Sequence, residues 1–176
     1  MTVIRIALIF CLGFFLHEHF LTLVDYKFKE LAEDRDPKFV TMAQREKELE
    51  CLSKNIYYEA GIESFEGKVA VAQVTLNRVL SKDFPNDICS VVYEKNIVYN
   101  RVICQFSWYC EQKTKVKPIH EATYKESEAV AKKVLLEGFR LSIISEDVLY
   151  YHANYVNPKW RKQRVTQIGK HIFYKG

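Results

Sequence analysis

Between Phe65 and Val79 the sequence reads FEGKVAVAQVTLNRV. Phe65, Val69, Ala72, Leu76 and Val79 recur at intervals of four and three, the spacing of one face of an α-helix. Ala70, Val71 and Val74 add apolar groups on other sides. A helix apolar around most of its circumference has to be wrapped by other elements. The chain can supply them. Its 176 residues, 48% hydrophobic and 27% charged, suit one globular domain with a sizeable core.

The segment before this helix raises a chemical question. Leu49, Leu52 and Ile56 also follow helical spacing, which predicts a helix over about 46–60 that stops at Gly61. Glu59 lies three residues after Ile56 and seven after Leu52, so it projects from the same apolar face. An ionised carboxylate is costly to bury there. Either Glu59 is exposed at the helix end or its burial serves chemistry. Glu63 and Glu66 follow. Two carboxylates flanking a turn are what glycoside hydrolysis commonly uses, one as acid and one as base or nucleophile. Glu66, and to a lesser degree Glu63, also read as solvated residues at a helix start, where the macrodipole favours them.

Downstream, Pro85 suits the first turn of a helix through DICSVVYEK, and residues 96–118 read as an irregular loop around CQFSWYC. Residues 121–137 predict a further helix with Val130, Val134 and Leu135 inward and Gly138 as its stop. VLYYHA and HIFYK have strand character. Helices first and short strands last predict an α+β fold.

The ends of the chain carry different signals. Ile6–Leu16 is an apolar run after a single Arg, of the length of a signal-peptide core, and no small-residue cleavage site follows. Residues 1–24 are therefore expected to be a signal peptide or signal-anchor, 25–45 a linker, and 46–176 the domain. Four cysteines in the body, Cys51, Cys89, Cys104 and Cys110, would form disulfides in an oxidising compartment. Their pairing stays open, with a local Cys104–Cys110 closure and a bond to Cys89 both possible. Cys11 is expected to stay unpaired if the apolar run remains in a membrane. The net charge of +4 favours an anionic surface such as a cell wall; no basic block marks a nucleic-acid track.

Three rival chemistries stand beside the carboxylate reading. His152 and His171 with Cys104 or Cys110 could form a thiol nucleophile and base. His120, His152 and His171 could hold zinc, although no diagnostic spacing or CxxC pair occurs, so no metal or other cofactor is expected. Trp108, Tyr109 and Trp160 could stack on sugars in a non-catalytic wall-binding module.

The stretches NIYYEAGIESFEGKVAVAQVTLNRVLSKDFPNDICSVVYE, CQFSWYC, YYHANYVNPKW and IGKHIFY together resemble the SleB/CwlJ-type cell-wall hydrolase family, in the same order and over about residues 46–174. The resemblance implies a compact, lysozyme-like, mainly helical α+β domain with a small sheet that cuts peptidoglycan glycan strands. It identifies Glu59 of the YYEA motif with the family's catalytic acid. Members are described as lytic transglycosylases or muramoyl hydrolases, with spore-cortex and phage examples. The resemblance thus implies peptidoglycan as partner, while the apolar run and the cysteines lead to an expected exported, periplasmic or membrane-anchored location, extracellular or virion-associated for a phage enzyme. Inner-membrane association would run through the N-terminal segment. Glu63, Gln105, Ser107, Tyr151 and His152 fall in matching motifs and are the expected substrate-binding residues. One departure stands out: where the family reads E-A-R-G-E-S, this chain has Glu59-Ala60-Gly61-Ile62-Glu63-Ser64, without the Arg.

Overall fold

The computed structural model describes residues 41–112, 114 and 117–176. The expected signal or anchor and most of the expected linker lie outside these residues. Among the described residues no helix is long and apolar enough to cross a membrane. Met42–Gly176 form one compact unit.

Helix α1 spans Met42–Ala60, beginning inside the stretch read as a linker, and α2 spans Phe65–Leu80. Ser64 caps α2 by accepting the Gly67 N–H at 3.3 Å. Leu52 and Ile56 of α1 and Val69 and Ala72 of α2 are fully buried in one cluster. Burial of each of the two larger side chains stabilises the fold by about 2 kcal/mol. The short α3 spans Ile88–Val92. It starts later than Pro85 suggests, because Asp87 is its cap and accepts the Ser90 N–H at 2.7 Å. The buried Glu48 carboxylate of α1 also accepts the N–H groups of Ile88 (2.6 Å) and Cys89 (3.3 Å). A Cys51–Cys89 disulfide fastens the same two helices.

The region read as an irregular loop is partly regular. Strands β1 (Lys95–Val98) and β2 (Arg101–Cys104) pair as an antiparallel hairpin. Its turn residues Tyr99 and Asn100 both have positive φ, 49° and 59°, the geometry of a two-residue hairpin turn. Every residue of β1 is exposed, so no in–out alternation betrays it in the sequence. The one-turn helix α4 (Ser107–Cys110) follows, and a Cys104–Cys110 disulfide closes this segment. Helix α5 spans Glu121–Leu135 and packs on α1 and α2. Gly138, at φ 72°, turns the chain beyond it.

Strands β3 (Val148–Ala153), β4 (Arg164–Ile168) and β5 (His171–Lys175) form an antiparallel sheet in the order β3–β5–β4. β4 is an addition to the two strands read from the sequence. The segment entering β3 is fixed by polar side chains of the mostly apolar α2. Gln73 receives the Leu141 N–H at 2.9 Å and donates to the Ile144 carbonyl. Asn77 donates to the carbonyls of Ser145 (2.8 Å) and Val148 (3.0 Å), and Arg78 Nε to that of Leu149 at 2.8 Å. Buried polar groups need such partners, and here the need sets where β3 runs. The result is the mainly helical α+β fold expected, with two small antiparallel sheets.

Candidate active site

Glu59 lies in the last turn of α1, where the apolar stripe through Leu52 and Ile56 meets β3. It is half-buried. Burial pushes its carboxyl from 4.5 up to about 7, the largest influence on it. The negative end of the helix dipole works in the same direction. Three side chains tune the balance. The Tyr151 hydroxyl donates to Glu59 Oε2 at 3.3 Å and lowers the value. At that length the bond is weak, so it does not cancel desolvation. The Arg78 cation also lowers it, and the Glu111 carboxylate just after α4 raises it. Near neutral pH such a carboxyl is far easier to keep protonated than an exposed one, which suits a group that must give and retake a proton.

Arg78 is the residue that sequence reasoning missed. It is 3% exposed, yet no carboxylate among the described residues pairs with it. Besides Leu149, it is held by the Gln105 side-chain oxygen, which in the orientation satisfying both groups accepts from Nη1 at 3.0 Å and Nη2 at 3.2 Å. The Phe84 and Phe106 rings lie 5.2 Å from its guanidinium carbon, and Tyr150 and Tyr151 lie 6.0 Å away. A clue was available: a cation inside a helix read as buried on most sides has to find partners. Glu94 was also missed. Its Oε2 is buried without a hydrogen bond, and its charge acts on Arg78.

The expected substrate residues divide. Tyr151 touches Glu59 directly, and Gln105 reaches the site through Arg78. Ser107 is exposed at the start of α4. Glu63 is engaged elsewhere: its Oε2 accepts the Lys170 N–H at 3.1 Å and lies so close to Gly169 that a Cβ there would collide with it. Gly169, at φ 56°, thus serves both a left-handed turn and a close approach. His152 takes the face of β3 opposite Tyr151. Its Nδ1 donates to the Ala153 carbonyl and its Nε2 accepts from the Tyr174 hydroxyl, both at 2.9 Å. His171 stands edge-on to Tyr151, ring centres 5.2 Å apart, and burial lowers its pKa.

The residues of the rival chemistries are committed to structural roles. All four cysteines of the body are paired, so no thiolate is available. His120 caps α5, His152 bonds Tyr174, and among the described residues no group of three or more His, Cys, Asp or Glu is arranged to hold a metal. Trp108 is a core residue: its indole N–H donates to Asn55 at 3.1 Å and Tyr58 stacks on it at 4.5 Å. Trp160 is the exposed tryptophan, at 40%.

Known proteins share this fold. The catalytic domain of the Bacillus cereus SleB protein superposes with a TM-score of 0.54 at 26% identity, covering 74% of this chain and 91% of that one. The catalytic domain of the germination-specific lytic transglycosylase SleB from Bacillus anthracis gives 0.55 at 26% identity, covering 80% and 100%. The spore cortex-lytic enzyme of Bacillus subtilis is 29% identical over 133 residues, 72% of this chain and 37% of that protein. That of Oceanobacillus iheyensis is 28% identical over 143 residues, 77% and 44%. The chain thus spans less than half the length of these curated relatives. The profile of the Cell Wall Hydrolase family matches residues 62–174, beginning three residues after Glu59. With that match over more than half its length, and a fold shared with SleB catalytic domains, the chain belongs to the cell wall hydrolase family.

Proposed function

We propose that this domain cleaves peptidoglycan glycan strands between N-acetylmuramic acid and N-acetylglucosamine, by lytic transglycosylation, with Glu59 as the acid and then the base. The observation that carries this reading is the Glu59 carboxyl, raised to about 7 by burial and met by the Tyr151 hydroxyl. Protonated Glu59 gives its proton to the glycosidic oxygen as the bond from that oxygen to the muramoyl C1 breaks. Positive charge builds at C1. The muramoyl O6 then bonds to C1 while the Glu59 carboxylate takes the 6-hydroxyl proton. A 1,6-anhydro end results and Glu59 regains its acid form. Only one carboxylate is needed, which agrees with Glu63 being tied to the Lys170 N–H. Substrate contacts fall to Tyr151, Gln105 and Ser107.

One observation favours a second reading. Glu111 is exposed and close enough to raise Glu59, so it could activate a water and make the reaction a hydrolysis. Mass spectrometry of fragments released from purified peptidoglycan separates the two. Anhydro-muramoyl ends are expected. Reducing muramoyl ends that vanish in Glu111→Gln would move the assignment to hydrolysis, and cleaved stem peptides with intact glycan would overturn both.

The same reading takes the domain to the wall side of a membrane. It would be exported and periplasmic, or held there by Ile6–Leu16 as a signal-anchor, or released as an endolysin-type enzyme if phage-borne. The disulfides Cys51–Cys89 and Cys104–Cys110 support an oxidising compartment. Cell fractionation with thiol counting tests it: a cytosolic protein with four free body thiols would refute export.

A further inference from the structure

The outer face of the three-stranded sheet carries a second surface, remote in role from Glu59. Strand alternation sends Tyr151 toward Glu59 but Tyr150 and His152 to the opposite side, where Tyr174 of β5 joins them. Trp160, in the loop between β3 and β4, covers this group. Its ring centre lies 5.9 Å from Tyr150, 5.5 Å from His152 and 5.8 Å from Tyr174, each meeting it edge-on. His152 and Tyr174 are stacked on each other and hydrogen-bonded. Three neighbours therefore hold Trp160 in one orientation while it stays 40% exposed. A tryptophan fixed and open in this way loses little freedom on stacking against a ligand.

Positive charge is concentrated in the same stretch of chain. Residues 148–176 contain six Lys and Arg (Lys159, Arg161, Lys162, Arg164, Lys170 and Lys175) and no Asp or Glu, whereas the whole chain nets only +4. The remainder of the chain is therefore net acidic. Lys175 is paired, with Asp147 at 2.7 Å. Lys162 sits over the Tyr150 ring at 3.5 Å, and Arg164 bonds the neutral Gln167. Among the described residues no carboxylate pairs with Lys159, Arg161, Lys162 or Arg164. Lys159 is held at φ 53°, an uncommon conformation for a residue with a side chain, immediately before Trp160.

We infer that the Trp160 face is a second binding surface for the anionic wall glycan, with Trp160 stacking on a sugar ring and Arg161, Lys162 and Arg164 meeting the carboxylates of its stem peptides. It would hold the insoluble polymer while Glu59, on the other side of β3, works on a strand. The inference rests on the proposed glycan-cleaving reading, but its test is separable from it.

Catalytically silent Glu59→Gln protein serves as the probe, pelleted with purified peptidoglycan sacculi. Adding Trp160→Ala, or separately the exposed pair Arg161→Glu and Arg164→Glu, is expected to weaken sacculus binding about tenfold or more. The charge-reversal pair guards against a Trp160→Ala protein that fails to fold. Raised salt is expected to weaken the parent and spare the charge-reversed variant, since exposed charges are screened. With Glu59 intact, the same substitutions are expected to leave cleavage of short soluble glycan fragments within about twofold of the parent. Equal sacculus binding by parent and variants would overturn the inference. So would equal binding of parent to sacculi stripped of stem peptides and insensitivity to salt, or a preference for anionic phospholipid vesicles over sacculi. Sacculus binding lost in the variants while the unsubstituted protein releases no fragment would uphold this surface and sink the cleavage reading instead.

Discussion

Tyr151 and His152 are neighbours in the chain and live in different environments. Tyr151 faces inward, its hydroxyl on Glu59 and its ring against His171 and Phe173. His152 faces outward, bonded to Tyr174 and edge-on to Trp160. The inner side is desolvated and holds one poised carboxyl; the outer side is half-open, aromatic and basic. The contrast teaches that one strand can serve proton transfer on one face and polymer capture on the other, because successive side chains alternate at no cost to the backbone.

The strongest way to break this contrast is Glu59→Gln. Glycan cleavage is expected to fall by about 10²–10⁴-fold or more, because the amide cannot donate the proton. The same variant should gain stability above neutrality. Glu59 binds protons more tightly folded than unfolded, so its ionisation makes folding less favourable as pH rises from 4.5 to about 7. At about 1.4 kcal/mol per pH unit the penalty over that window reaches roughly 3–4 kcal/mol at most, and is constant above it. Thermal unfolding at pH 8 and pH 4 measures it: a gain at pH 8 that disappears at pH 4 is expected, and equal effects at both would contradict the burial argument.

Tyr151→Phe comes next, with His152→Ala as its outer-face partner. Loss of the Tyr151 hydroxyl removes an influence that lowers the Glu59 pKa. The alkaline limb of the rate profile should therefore move to higher pH, with a rate loss of about tenfold at most, in line with a hydrogen bond worth roughly 1 kcal/mol. His152→Ala should leave that limb in place on soluble fragments. A shift in both variants would mean the two faces are not independent.

Glu63→Gln should be the mildest. It weakens the carboxylate's bond to Lys170 N–H, for a stability loss of about 1 kcal/mol, and leaves the pH profile unaltered. Loss of activity equal to that of Glu59→Gln would instead make the two carboxylates a catalytic pair.

Much of this was legible before any coordinates. The period of three and four named α1, α2 and α5 within a few residues, because a buried face repeats at the helical pitch. The same period singled out Glu59. The β1–β2 hairpin escaped because its strands bury almost nothing, and β4 because its five residues alternate only weakly in burial. Glu63 and His152 lie in the right motifs, yet their contacts are with the β4–β5 turn and with Tyr174, partners distant in sequence.

The sequence by itself determined the helices, the acid at the end of the first of them, the wall-hydrolase motifs and the basic bias of residues 148–176, because periodicity, composition and local motifs are properties of neighbouring residues. Tertiary structure decided the rest. It paired Cys51 with Cys89 across two helices, set Arg78 among four aromatic rings beside Glu59, and brought Tyr151 rather than His152 to the carboxyl. A one-residue slip of β3 would exchange those last two, since each side chain's face depends on register. That register is held by Gln73, Asn77 and Arg78, whose hydrogen bonds reach residues about 70 positions away, beyond what any local pattern encodes.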